Sequence, residues 1–176
     1  MSEPEIDQTT LTTLFHAWAG RLVLYARQWH DHPTAEDIVQ DVFMRLFDTD
    51  PPPHDPRAWL FRSVRNAAIS SLRSRTRRQR RLRERRSEPT WFTPTSHDLA
   101  NREAVEHALI GMPIDEREVL VLRLWGDCTL EQVAEITGRS VATVFRQQRR
   151  GLAAVRAALE DACHPTPTNT PSPTTD

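Results

Sequence analysis

The chain has no lysine, so all 23 of its permanently cationic side chains are arginine. Genome composition alone can produce that bias, but arginine also makes the forked contacts that suit phosphate and guanine. Glycine is scarce at five residues, and none builds a phosphate-cradling loop. No nucleophile motif is present either, so Rossmann and P-loop enzymes are disfavoured and neither a catalytic residue nor a cofactor is expected. The two cysteines, Cys128 and Cys163, are far apart and unpatterned, which favours ordinary reduced thiols over a disulfide or a metal site. His30 and His32, beside Pro33, have only a weak metal-like spacing and read as loop. No apolar run approaches the length of a membrane span, and the opening MSEPEIDQTT is acidic and polar. The expectation is a cytoplasmic protein with no membrane insertion and no metal.

Charge, in contrast, is present but sorted. The formal net charge of the 176 residues is -1. Asp31, Glu36, Asp37, Asp41, Asp48, Asp50 and Asp55 make one stretch acidic, and the stretch from Arg73 to Arg86 is intensely basic. A near-neutral total with separated signs points to two different partners, one for each sign.

Helical periodicity runs through the first half. From about Thr9 to Trp29, Leu11, Leu14, Phe15, Trp18, Leu22, Val23, Tyr25 and Ala26 recur at helical spacing, and Asp31-His32-Pro33 is expected to end this helix. Thr34 is then expected to cap a second helix, with Asp37 at the capping-box position. In that helix Ile38, Val42, Phe43 and Leu46 face inward, while Asp37, Gln40, Asp41 and Met44 fall on the other side. Such an acidic outer face is either solvated or receives a basic partner.

A proline-broken loop, DTDPPPHD, leads into the segment around which the chain is organised, Pro56 to Arg86. Asp55 is a good N-cap and Pro56 suits the first helical position. Trp59, Leu60, Val64, Ala67, Ala68, Ser71 and Leu72 share one face, and beyond them the helix becomes a run of arginines. A polycation fixed on a helix can meet phosphates, or it can be a solvated linker helix. Trp59 reads as core in preference to a base-stacking wedge, because its spacing puts it on the packed face.

Around residues 87–96 the periodicity fails and Pro89 and Pro94 intervene, marking a linker. Trp91 and Phe92 within it dock either inside the chain or on a partner. The second half reads as a smaller helical unit. His97 to Ile110 forms one helix, stopped by Gly111 and Pro113. Asp115 is expected to cap the next, EREVLVLRLW. Thr129 and Gln132 form a capping box for LEQVAEIT, Gly138 ends it in the left-handed conformation, and Ser140 caps the last helix. Two short helices joined by a glycine turn, with small Ala134 at their crossing, follow the helix-turn-helix plan; a plain helical hairpin is the alternative. On the last helix Val144, Leu152, Val155 and Leu159 are expected to point to the core. Thr143, Arg146, Gln147 and Arg150 then form an outer stripe suited to base edges and phosphates. The tail from residue 163 is Pro/Thr-rich and expected to be disordered.

Over roughly Leu11 to Leu159 the sequence resembles the extracytoplasmic-function sigma factors of bacterial RNA polymerase. AEDIVQDVFMRLF resembles the core-binding helix of sigma region 2. PRAWLFRSVRNAAISSLRSRTRR resembles the helix that recognises and melts the −10 element, and MPIDEREVLVLRLWGDCTLEQVAEITGRSVATV resembles region 4, which reads the −35 element. The resemblance implies an all-α protein of two small helical domains, 9–86 and 97–162, joined by a flexible linker. It implies core-polymerase binding by Asp37, Gln40 and Asp41, with a flipped −10 base captured by the loop Thr49 to Asp55. Asn66, Arg73, Arg77 and Arg78 are implied at the −10 element, and Thr143, Arg146, Gln147 and Arg150 at the −35 element. The partners implied are RNA polymerase core, promoter DNA and an anti-sigma factor that occludes these faces. The recognition helix departs from the family pattern: Phe145 replaces a basic residue, Gln148 an apolar one, and Gly151 weakens the helix by about 1 kcal/mol. The −35 preference therefore does not carry over. A stand-alone regulator with a LuxR-type output domain is the alternative, which requires strands and a pocket in the first half. An RNA-binding adaptor built on the arginine helix is a third.

Overall fold

The computed structural model describes residues 7–79 and 99–163. These form seven helices: α1 Gln8–Ala26, α2 His32–Phe47, α3 Pro56–Gln79, α4 Leu99–Gly111, α5 Ile114–Leu124, α6 Leu130–Thr137 and α7 Val141–Cys163. The all-α expectation holds, and the described first half contains no strand of the kind a receiver or ligand-binding domain needs. The arginines beyond Gln79, the linker with Trp91 and Phe92, and the tail beyond Cys163 lie outside the described residues.

Local chemistry sets most helix ends as expected. Asp55 Oδ1 accepts from the backbone N–H of Ala58 at 3.0 Å, so Pro56 opens α3. The Thr129–Gln132 capping box forms in both directions, and Gly138 closes α6 at φ 69°. Ser140 Oγ accepts from Thr143 N–H at 3.2 Å at the head of α7.

Two caps differ from expectation. Asp31, not Thr34, caps α2, accepting from Thr34 N–H at 3.2 Å. Asp31-His32-Pro33 therefore begins α2 instead of ending α1, which already stops at Ala26. Proline lacks only a hydrogen that the first helical turn has no use for, so it sits inside that turn without cost. Asp115 likewise caps nothing: Pro113 precedes α5 without a side-chain cap, and Asp115 in the first turn pairs with Arg139 at 2.6 Å.

Helices α1, α2 and α3 pack on one another, as do α4, α5, α6 and α7, and α6 and α5 lean on α3 and α1. One core therefore crosses both halves. Leu22, Tyr25, Leu60, Phe61 and Val64 join Val119, Leu122, Cys128 and Val133 in a single buried cluster. Phe61 stands edge-on to Tyr25 at 5.4 Å and to Trp18 at 6.3 Å. Its full burial contributes about 1.5–3 kcal/mol. Trp59 is half-buried against the same cluster, on the packed side where its spacing put it. His30 is buried too, its Nε2 2.8 Å from the carbonyl of Ala68, so it ties the α1–α2 turn to α3.

Candidate functional site

Three surfaces bear the residues singled out by the sequence. The first is the outer side of α2. Ala35, Ile38, Val39, Val42, Phe43 and Leu46 are buried, which turns Asp37, Gln40 and Asp41 outward together, one turn apart. Met44, 61% exposed, continues that row, and exposed Phe47 follows it at the end of the helix. Phe15 of α1, also exposed, rests edge-on against Phe43 at 5.0 Å. The face is thus acidic with an apolar border, a combination suited to docking a protein that presents both charge and grease.

The second surface is α3. Asn66 and Arg73 are exposed, and Arg77 and Arg78 follow on the last turns of the helix. Its earlier arginines are engaged by the second half of the chain. Arg62 donates to Glu135 Oε1 at 3.0 Å. Arg57 donates to Gln132 Oε1 at 3.0 Å and to the carbonyl of Asp127 at 3.1 Å. Gln132 in turn donates to Asp55 Oδ2 at 2.7 Å, so one side chain closes the α6 capping box and holds the residue that caps α3. Arg21 adds an ion pair with Asp127, and both Arg21 and Arg57 lie over the Trp18 ring, at 4.9 and 5.6 Å.

At the centre of this junction is Glu118, only 1% exposed. Its carboxylate accepts from Tyr25 Oη at 2.9 Å, Arg65 Nε at 2.7 Å and Arg139 Nη1 at 3.1 Å. A buried charge is tolerable only when paired and hydrogen-bonded, and here both oxygens are. Burial, reinforced by the neighbouring Glu118, pushes the Tyr25 phenol well above its ordinary value and keeps it a donor. Cys128 nearby is fully buried, and burial raises its thiol to about 11. The sequence reading did not single out Glu118. The signal was its neighbourhood, Val119-Leu120-Val121-Leu122, a run apolar on every side that only a fully buried helix carries.

The third surface is α7. Arg146 is exposed, and Thr143, half-buried, shares hydrogen bonds with Ser140 Oγ at 2.9 Å and Arg146 Nη2 at 3.2 Å. Arg150 is exposed and paired with Glu116 at 2.6 Å. Gln147 is not on this outer stripe: it is 6% exposed, and its Oε1 has no partner among the described residues. Leu152, expected in the core, is 41% exposed instead. The cause is the buried edge of the helix, which runs through Val144, Gln147 and Gly151. A Cβ on Gly151 would stand 2.9 Å from Leu120 Cδ1, so glycine lets the helix lie this close to α5 without displacing the Leu120 side chain. The outward face is therefore turned by roughly a quarter-turn from the expected stripe, at 3.6 residues per turn. It presents Ala142, Phe145, Arg146, Arg149 and Ala153. Arg149 and Phe145 were missed because Gln147 and Gly151 do not look like core residues.

Residues 14–78 match the family model for Sigma-70 region 2, and residues 102–155 match that for Sigma-70, region 4. The chain belongs to the sigma-70 family. Within it, it is an alternative sigma factor of the extracytoplasmic-function group. It is 28% identical over 129 residues to the RNA polymerase sigma factor SigV of Bacillus subtilis (strain 168), covering 71% of this chain and 75% of SigV. It is 29% identical over 145 residues to the ECF RNA polymerase sigma factor SigX of the same organism, covering 74% and 73%. Among solved structures, its fold is similar to that of the sigma factor RpoE in co-crystals with the anti-sigma factor NepR from Bartonella quintana. There the TM-score is 0.71 at 23% identity, over 88% of this chain and 98% of RpoE. It is also similar to CnrH in complex with the cytosolic domain of CnrY, with a TM-score of 0.57 at 24% identity, over 88% and 90%. Among the described residues of this sigma factor, no helix is long and apolar enough to cross a membrane.

Proposed function

We propose that this sigma factor divides its work among the three surfaces. Asp37, Gln40 and Asp41, bordered by Met44 and Phe47, dock on core RNA polymerase. Asn66, Arg73, Arg77 and Arg78, with the loop from Thr49 to Asp55, engage and help open the −10 element; flipping a base there costs a few kcal/mol of stacking that the loop must offset. Thr143, Arg146 and Arg150, joined by Arg149, engage the −35 element, and Gln147, buried on the other side of the helix, makes no base contact. The chain acts in the cytoplasm and contributes no catalytic group of its own; the polymerase supplies the chemistry.

The observation that carries this reading is the placement of opposite charges on separate free faces, acidic on α2 and cationic on α7. In the present arrangement Arg57, Arg62 and Arg65 of the −10 helix are bound to the second half of the chain. This arrangement ties the first turns of the −10 helix to the second half while Asn66 and Arg73 stay exposed, and an anti-sigma factor would act by holding the two halves together. The test is transcription in vitro from a genomic fragment library, with purified sigma factor and sigma-free core polymerase. Discrete starts sharing two upstream elements are the expected result. Asp41→Arg is expected to weaken core binding about a hundredfold or more, since a reversed charge at a docking face costs several kcal/mol, with an unchanged circular dichroism spectrum. Undiminished core affinity would remove α2 from the docking role.

A further inference from the structure

The outward face of α7 carries an exposed aromatic side chain, flanked at helical spacing by the smaller exposed apolar residues Val141 and Leu152 and by arginines. Phe145 is 48% exposed. It lies in the second turn of the helix that follows the tight turn at Gly138, with Arg146 beside it and Arg149 one turn on. Ala142 and Ala153, both exposed on the same side, leave the helix backbone open to close approach. No acidic residue lies on α7 between Val141 and Ala158, and Glu116 of α5 is paired with Arg150. Ala142, Phe145, Arg146 and Arg149 are all exposed among the described residues, so the closed arrangement leaves this face accessible.

We propose that Phe145 reads thymine: its ring contacts the C5-methyl of a thymine in the major groove of the −35 element, with Arg146 and Arg149 holding the flanking phosphates. This rests on the reading that α7 is the −35 helix. The second helix of a helix-turn-helix places its N-terminal residues on base edges, and of the four base pairs only those containing thymine present a methyl group there. An exposed ring gains by covering that methyl, and the cations around it exclude water-bound counterions from the same place. The flanking charge favours a nucleic acid over an apolar protein helix as the occupant. A protein helix would be expected to extend along Val141, Phe145 and Leu152, and it gains nothing from Arg146 and Arg149.

The test uses holoenzyme, the full chain on core polymerase, and promoter fragments obtained from its own transcript starts. A fragment pool randomised across the −35 element is expected to return at least one position fixed as thymine. Replacing that thymine with deoxyuridine removes the methyl alone and is expected to weaken binding about fourfold, the worth of one buried methyl. In Phe145→Ala holoenzyme the same replacement is expected to change nothing, and the pool is expected to lose thymine at that position only. Phe145 is half-exposed, so the variant keeps its fold; a circular dichroism melt checks this. Arg149→Ala is expected to weaken every fragment alike. No selected thymine, or a deoxyuridine effect that persists in Phe145→Ala, overturns the inference while a loss in Arg149→Ala leaves the −35 assignment of α7 standing. If Arg146→Ala and Arg149→Ala are also without effect, the −35 assignment itself is what fails. Loss of binding to a purified protein regulator in Phe145→Ala, with DNA selection unchanged, assigns the face to that protein instead.

Discussion

Helices α2 and α7 carry the two outward faces on which the reading of this sigma factor depends, and they differ in how plainly their sequences report them. In α2 every buried residue is apolar, and the outer row is acidic and amide up to Met44 and Phe47 at the helix end, so no polar residue is buried there. In α7 they part company. Gln147 and Gly151 are buried, while Phe145 and Leu152 are exposed. A helix that docks on a protein can keep its own core face conventional. A helix that enters a groove must approach closely on one side and present side chains on the other. Gly151 lets α7 lie against Leu120, and the face opposite is set by that contact, not by the helix's own pattern. An amphipathic face is thus legible when the helix is packed by hydrophobicity and is displaced when a small residue decides how the helix is seated.

The half that holds α2 and the half that holds α7 are joined most tightly at Glu118. It is the one acidic side chain through which Tyr25 and Arg65 of the first half and Arg139 of the second are joined. Glu118→Ala takes the carboxylate from the Arg65 guanidinium and the buried Tyr25 phenol, and leaves Arg139 with Asp115 alone. It is expected to cost about 3–5 kcal/mol, the usual consequence of removing one partner from a buried charge cluster. Urea denaturation followed by tryptophan fluorescence should show a lower midpoint, with the two halves unfolding in separate steps. A loss below about 1 kcal/mol would mean that the halves are not joined at this residue in solution, since surface ion pairs contribute no more than that.

What the sequence disclosed follows the same division. Wherever an element is shaped by its own residues, it was legible. Asp55 with Pro56, Thr129 with Gln132, Gly138 and Ser140 all act where their chemistry puts them. Residues whose role is set by a distant segment were not. The role of Glu118 is fixed by Tyr25 and Arg65, 93 and 53 residues away, which close over it. Gln132 reads as a cap, and it also bridges to Asp55, 77 residues away. The choice between Asp31 and Thr34 as the α2 cap was local but ambiguous, because both are good caps and Pro33 fits a helix start as well as a helix end.

Cys128 lies in the same seam between the halves. Its thiol is raised by burial from 9.0 to about 11. A raised acid is protonated in the folded state while the unfolded chain has already lost the proton, so its stabilisation is complete below pH 9 and is lost as pH climbs to about 11. The expected loss is about 2–3 kcal/mol across that range. Tyr25 shifts in the same direction and adds to the slope above its ordinary 10. Chemical denaturation from pH 8 to 11 should therefore show a steep alkaline decline in the wild type and a shallower one in Cys128→Ala. Equal slopes would place the thiol in contact with water and the seam open.

The smallest expected effect bears most directly on α7. If Gln147 lies inside, its amide is a liability, because Oε1 has no hydrogen-bond partner among the described residues. Leaving such an atom buried costs about 1–3 kcal/mol, part of which a leucine of similar volume would recover. Gln147→Leu is therefore expected to leave stability unchanged or raise it by about 1 kcal/mol, measured by thermal denaturation. It is also expected to leave promoter affinity of the holoenzyme within about twofold, below the ~1 kcal/mol at which a base contact is felt. Were Gln147 on the stripe that its polarity suggests, the same substitution would take away a donor–acceptor pair matched to adenine and relax selection at one base pair. A single conservative exchange thus distinguishes a helix seated by Gly151 from one seated by its apolar residues, and α7 would read like α2 only in the second case.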